Sequence, residues 1–196
     1  ILKDGAKEGI YVEKLYLPYP CVLYDREKYE EITKIAADAG VKVLLLKDGD
    51  ALSVGEFRME VLSPFEDIEY KEPNEMSVVL SISCNDRKVL LTGDIQGDAE
   101  DILARRMGSN DHVSLLKVAH HGSNSSSSDA FLDKVSPRIA VISVGRNNPY
   151  KHPSEDVLWR LRERGVRIYR TDMDGMITVL LGKKEIRISS FLCRHD

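Results

Sequence analysis

The stretch LLKVAHHGSNSSSSDAFL, residues 115–132, decides how the chain is layered. An apolar run from Leu115 to Ala119 stops abruptly at two histidines, a glycine and a string of hydroxyl residues. The reading is a strand over residues 113–119, a polar break, and a helix over 128–135. Two more places have the same form. One is Leu90-Leu91-Thr92-Gly93-Asp94; the other is Ser143-Val144-Gly145, leading to His152-Pro153-Ser154. In layered α/β proteins, ligand sites lie at strand ends of this kind.

Working outward, the first half of the chain is strand-rich. Strands are expected over 11–17, 41–46, around Leu52, over 57–62, 77–83 and 88–91. The last two are joined by a polar turn containing Asn85-Asp86, a hairpin signal. A helix over 26–39 has Tyr29, Ile32, Ile35 and Ala36 at helical spacing, with Gly40 where a C-terminus wants it. The second half alternates: helix 97–107, strand 113–119, helix 128–135, strand 138–144, helix 154–164 and strand 166–169. A final pair, 176–181 and 185–190, turns at Gly182-Lys183-Lys184. The expected architecture is α/β, of the α+β type, with mixed sheets covered by helices on one face and a single domain over 1–196.

Composition excludes several classes. Hydrophobic residues are 42% and charged ones 31%, so the chain can build a core and is not a disordered segment. The net charge of −4 argues against a broad basic face for nucleic acid. No apolar run approaches the roughly 18 residues of a membrane helix. Cys21, Cys84 and Cys193 are far apart, which excludes a disulfide framework and a cysteine zinc knuckle. Cys84 and Cys193 read as small apolar strand residues. The chain opens at Ile1 without a secretory signal, and is expected to start inside a longer polypeptide.

The polar breaks supply the candidate residues. Asp94 is either a turn or capping residue, or a carboxylate ligand at a strand end, with Gly93 allowing close backbone approach. Neighbours on a strand point to opposite faces, so one metal is expected to take only one of His120 and His121. The other would orient substrate or meet a phosphate oxygen. Gly122, Ser123 and the serines after it could cap a helix or donate to an anion. His152 could be a loop residue beside an N-cap or a donor to phosphate. Asn74 could be a turn residue or line the site. Thr171-Asp172 with Gly175 reads as a turn between strands. The Arg160, Arg162, Arg164, Arg167 cluster is interleaved with acids and reads as a solvated helix face.

Five segments occur in a telling order: NEMSVVL, VLLTGDIQGDAE, LLKVAHHGSNSSSS, IAVISVGRNNPYKHPSEDVLWRL and IYRTDMDG. From about Tyr29 to Leu181 the chain resembles the C-terminal metallo-β-lactamase-like domain of the ComEC family of competence DNA-internalisation proteins. The resemblance implies an αββα sandwich with a metal site at one edge. It implies that Asp94 bridges two divalent ions, zinc or manganese, and that His120 or His121 ligates one. It implies a metal-dependent phosphodiesterase or DNase, with Ser123, His152 and Asn74 around the phosphate. The expected partners are DNA and the rest of the parent protein. The parent would be a bacterial membrane protein, with this soluble segment extracytoplasmic or membrane-associated.

One departure stands out. The superfamily's main metal motif, H-x-H-x-D-H, is missing, because no two of the five histidines have H-x-H spacing. The chain therefore reads as the second portion of the domain, and is expected to hold metal weakly by itself. The alternatives are a degenerate, non-catalytic domain binding a protein or single-stranded DNA, and a small-molecule phosphoesterase on the same fold.

Overall fold

The computed structural model describes residues 9–108, 112–182 and 185–192. Cys193 and the Lys183-Lys184 turn lie outside the described residues.

The chain begins with β1 (Lys14–Pro18), a short helix α1 (Cys21–Tyr24), α2 (Arg26–Asp38) and β2 (Lys42–Leu46). The Asp25 carboxylate starts α2 by accepting the Lys28 N–H at 3.0 Å. Gly40, at φ +69°, follows its end and turns the chain into β2. β1 and β2 pair in parallel, Lys14 opposite Lys42 through Pro18 opposite Leu46.

Next come β3 (Ala51–Val54), β4 (Phe57–Ser63), β5 (Val79–Cys84) and β6 (Arg87–Leu91). Two-residue turns join β3 to β4 and β5 to β6, a longer segment with a 3-10 turn at Pro73–Met76 joins β4 to β5, and β3 to β6 run antiparallel. Three βα units follow: α3 (Gly97–Arg106), β7 (Leu115–Lys117), α4 (Asp129–Val135), β8 (Ile139–Ile142), α5 (Glu155–Glu163) and β9 (Arg167–Arg170). Each helix carries the chain back to the start of the sheet, so β6 to β9 are parallel. One mixed sheet results, in the order β3-β4-β5-β6-β7-β8-β9. The one-turn helix α6 (Thr171–Asp174) then leads to a hairpin of β10 (Ile177–Leu181) and β11 (Ile186–Ser190).

The register places Leu90, Leu116, Ala140 and Ile168 in one row across the parallel strands. This row packs with Leu103 of α3, Phe131, Leu132 and Val135 of α4, and Val157, Leu158 and Leu161 of α5. Each large, fully buried side chain among them, such as Leu116, Phe131 or Leu161, stabilises the fold by about 1.5–3 kcal/mol relative to exposure. Helices thus cover one face, as expected.

Three expectations change. The strand over 113–119 is only Leu115–Lys117; a 3-10 turn, Ala119–Gly122, takes over before the histidines. Thr171-Asp172 is not a simple turn but part of α6. The first strand starts at Lys14, after an exposed Tyr11. Among the described residues, no helix is long and apolar enough to cross a membrane.

The consequence for function is topological. β6, β7 and β8 all end on the same edge of the sheet, and antiparallel β5 begins there. The polar breaks read from the sequence converge on that edge.

Candidate metal centre

Two glycines let the backbone close around this edge. Gly93 (φ +56°) follows β6, and a Cβ there would lie 2.9 Å from Ser77 Cβ. That closeness lets the Ser77 hydroxyl accept the Asp94 N–H at 3.0 Å. Gly122 (φ +83°) closes the 3-10 turn against Pro153.

The histidine pair departs from strand geometry. His120 and His121 both have left-handed backbones, at φ 45° and 55°, which costs each roughly 1–2 kcal/mol. Strand alternation therefore does not apply, and the two rings stay neighbours, 6.3 Å between centroids. The expectation that they point to opposite faces is corrected by this turn.

His121 is oriented by a backbone carbonyl. Its Nδ1–H donates to Ser143 O at 2.5 Å. A carbonyl only accepts, so Nδ1 carries a proton, and Nε2 is the nitrogen left to meet an ion when the ring is neutral. That Nε2 lies 3.7 Å from Asp94 Oδ1. Metal-binding histidines are commonly held this way, one nitrogen on a carbonyl and the other bare.

His120 is oriented by Gln96, whose Oε1 lies 2.6 Å from its Nδ1. The same oxygen accepts from the Ser125 hydroxyl at 2.9 Å. His120 Nε2 faces the Asn74 amide nitrogen at 3.4 Å, so it too presents a lone pair. His152 meets His120 edge-on, centroids 5.7 Å apart. Burial, and then His120 and His121, hold His152 below its usual pKa. The shift favours the neutral ring, which can still donate one hydrogen bond.

Ser123 is buried, its hydroxyl paired with that of Ser125 at 2.9 Å. It reaches Gln96 and His120 through that neighbour. The serine run has a clear anchor that the sequence did not advertise. Glu100 of α3, almost wholly buried, accepts the N–H groups of Ser127 and Ser128 at 2.6 and 2.8 Å. Burial raises its carboxyl pKa, and these two N–H groups pull it back.

Lys117 is another residue missed by sequence reasoning. Its ammonium donates to Gly93 O at 2.9 Å and stands 3.7 Å from Asp94 Oδ1. Burial lowers its pKa, and Asp94 opposes that. The available signal was a lysine inside an apolar strand, which needs a partner when buried. Gln96 carried no signal beyond lying two residues after Asp94.

Asp94 and His121 fit two adjacent corners of a metal ion. Two ligands of one tetrahedral zinc stand roughly 3.3 Å apart, given bond lengths near 2 Å, and the gap here is 3.7 Å. Among the described residues, no group of three His, Cys, Asp or Glu side chains could close a shell. The fit is to part of a site.

The family model of the metallo-beta-lactamase superfamily matches residues 7–146. Over 166 residues the chain is 34% identical to ComE operon protein 3 of Bacillus subtilis, covering 85% of this chain and 21% of that protein. It is 38% identical over 129 residues to competence protein ComA of Neisseria gonorrhoeae, covering 62% and 19%. The chain thus spans about a fifth of the length of these relatives. Among solved structures, the metallo-beta-lactamase fold protein YhfI of Bacillus subtilis superposes with a TM-score of 0.50 at 10% identity, over 84% of this chain and 64% of that one. The mixed sheet, the helical cover and the matched residues agree: this chain belongs to the metallo-beta-lactamase superfamily.

Proposed function

We propose that the strand-end site is the phosphodiester-hydrolysing part of a DNA-uptake protein that uses a divalent metal, zinc or manganese. The observation that carries this is His121, its ring fixed by Ser143 O so that Nε2 faces the Asp94 carboxylate at 3.7 Å. Those two side chains would hold the ion. When bound, the ion would polarise a phosphoryl oxygen and make a water more acidic.

The remaining chemistry belongs to the chain itself. Ser77 and Lys117 fix Asp94 from two sides, one at its backbone and one at its carboxylate. The Lys117 charge also favours an anionic substrate near the carboxylate. His120 is held by Gln96, and Asn74 lies against its other nitrogen. Asn74 and His152 would orient the phosphate by hydrogen bonds, with His120 holding Asn74 in place. Ser123 supports them through Ser125. DNA is the substrate class suggested by the likeness to competence proteins, and the parent of this chain would be membrane-associated.

One observation favours a non-catalytic binding domain: Lys117 already approaches the Asp94 oxygen that an ion would use. The assay that decides is hydrolysis of single-stranded DNA and of a small aryl phosphodiester, with added manganese or zinc. It uses the chain and the longest natural polypeptide containing it. Metal-dependent hydrolysis that EDTA abolishes is expected from the longer form. His152→Ala should then lower kcat/KM about tenfold, the loss of one hydrogen bond to a charged group, with bound metal unchanged. Absence of metal-dependent hydrolysis from both forms would overturn the catalytic reading and leave the binding domain.

A further inference from the structure

Tyr150 is 76% exposed, yet its turn is firmly tied. The Asn148 amide donates to Gly145 O at 3.0 Å and to His152 O at 2.8 Å. Its oxygen accepts the His152 N–H at 2.9 Å, and Lys151 N–H donates to Asn148 O at 3.2 Å. The phenol ring lies nearly parallel to His152, with centroids 5.8 Å apart and 17° between planes. One ring face therefore rests on a histidine of the candidate site. The rest of the ring is largely open to solvent.

Core packing does not explain this arrangement, because a ring so exposed gains little from burial. A flat aromatic on a rigid turn is a stacking surface prepared in advance, since little conformational freedom remains to be lost on contact. Its surroundings suit a nucleic-acid strand. Arg146 and Lys151, both exposed, put two cations on the same turn, and Arg146 is itself held by its Nε–H bond to Asp172 O at 2.8 Å.

We infer that Tyr150 is a nucleobase-stacking platform for single-stranded DNA, seating a base that flanks the phosphate at His120 and His121. This rests on the reading of the site as one that acts on DNA. The spacing sets which nucleotide is involved. Tyr150 is separated from His120 by the whole His152 ring, through centroid steps of 5.8 and 5.7 Å. A base on the outer face of Tyr150 therefore belongs to a neighbouring nucleotide rather than to the one at the reacting phosphate. Stacking needs a base free of its duplex partners and tolerates any base, so the preference is for single strands without sequence selectivity. A small aryl phosphodiester, lacking the flanking base, does not need the platform.

The test is binding without cleavage, by fluorescence anisotropy in EDTA. One probe is a labelled oligothymidine; the other is a strand of equal length in which every base is absent. Tyr150→Ala should weaken oligothymidine binding about tenfold, the order of one lost base–aromatic stack, and leave the abasic strand unaffected. Tyr150→Phe should bind like the wild type. An iododeoxyuridine strand should photocrosslink to Tyr150 in the wild-type chain. The inference is overturned if the wild type does not prefer oligothymidine to the abasic strand. It is equally overturned if Tyr150→Ala changes nothing, or weakens both strands alike. No hydrolysis occurs in this assay, so a failed nuclease reading and a failed stacking reading are told apart.

Discussion

A single methyl group at Gly122 is expected to cost the fold about 2–5 kcal/mol, the sum of an overpacking cost and a left-handed backbone cost. The residue sits at φ +83°, a backbone that alanine adopts only under strain. The added Cβ would meet Pro153 Cβ at 2.5 Å and Pro153 Cα at 3.0 Å. Neither side yields easily. Pro153 is buried, and the Ser154 N–H next to it donates to Gly122 O at 2.9 Å, tying the two segments together. For a chain of this length the melting temperature should fall by roughly 4–20 °C. Thermal unfolding followed by circular dichroism measures it. A variant melting within a degree of the wild type would mean that this contact is not tight in solution. Gly165→Ala is the useful comparison. That glycine also has a positive φ, but a Cβ there meets nothing within 4 Å, so only the backbone strain remains.

Asp94→Asn should lower metal-dependent hydrolysis by about 100-fold or more, the order of losing one preorganised electrostatic group at a reacting centre. The substitution is nearly isosteric and keeps the backbone N–H bond to Ser77. What it removes is the negative charge that stands between the Lys117 ammonium and His121 Nε2, each 3.7 Å away. A cation bound at His121 would then face Lys117 with no carboxylate to screen it. The damage should be at least as large as that of His121→Ala, and larger than that of His152→Ala. Calorimetric titration with manganese or zinc gives a second readout, independent of turnover. Weaker metal binding by the Asn variant than by the wild type is expected. Full rate with unchanged metal affinity would remove Asp94 from the site.

Much of this architecture was legible because local signals agreed with the global fold. The spacing of Tyr29, Ile32, Ile35 and Ala36 with Gly40 marked α2 to within a residue. The Asn85-Asp86 turn marked the β5–β6 hairpin. Abrupt polar breaks after apolar runs located Asp94, the histidine pair and His152. What was not legible depends on contacts between distant segments. Lys117 gains its place from Gly93 and Asp94, and Glu100 from Ser127 and Ser128. Neither pairing leaves a periodic trace in the chain. The orientation of the histidines was not legible because strand alternation does not carry past the end of the strand. The strand ends at Lys117, two residues before the apolar run does, and the backbone turns left-handed at His120.

The change of strand direction at β6 has a consequence for how the molecule comes into being. The β5–β6 hairpin joins residues close in the chain, so its closure demands little entropy. β6 meets β7, and β7 meets β8, only after a helix has carried the chain back across the sheet. Distant pairings of this kind form slowly. We therefore expect pulse-labelled amide exchange during refolding to protect Ile82 and Val89 before Leu116 and Ala140; the reverse order would contradict this. Asp94 would wait at the end of the early half until the late half delivers the histidines. A nascent chain would then own a carboxylate but no reactive centre until its last parallel strands had docked.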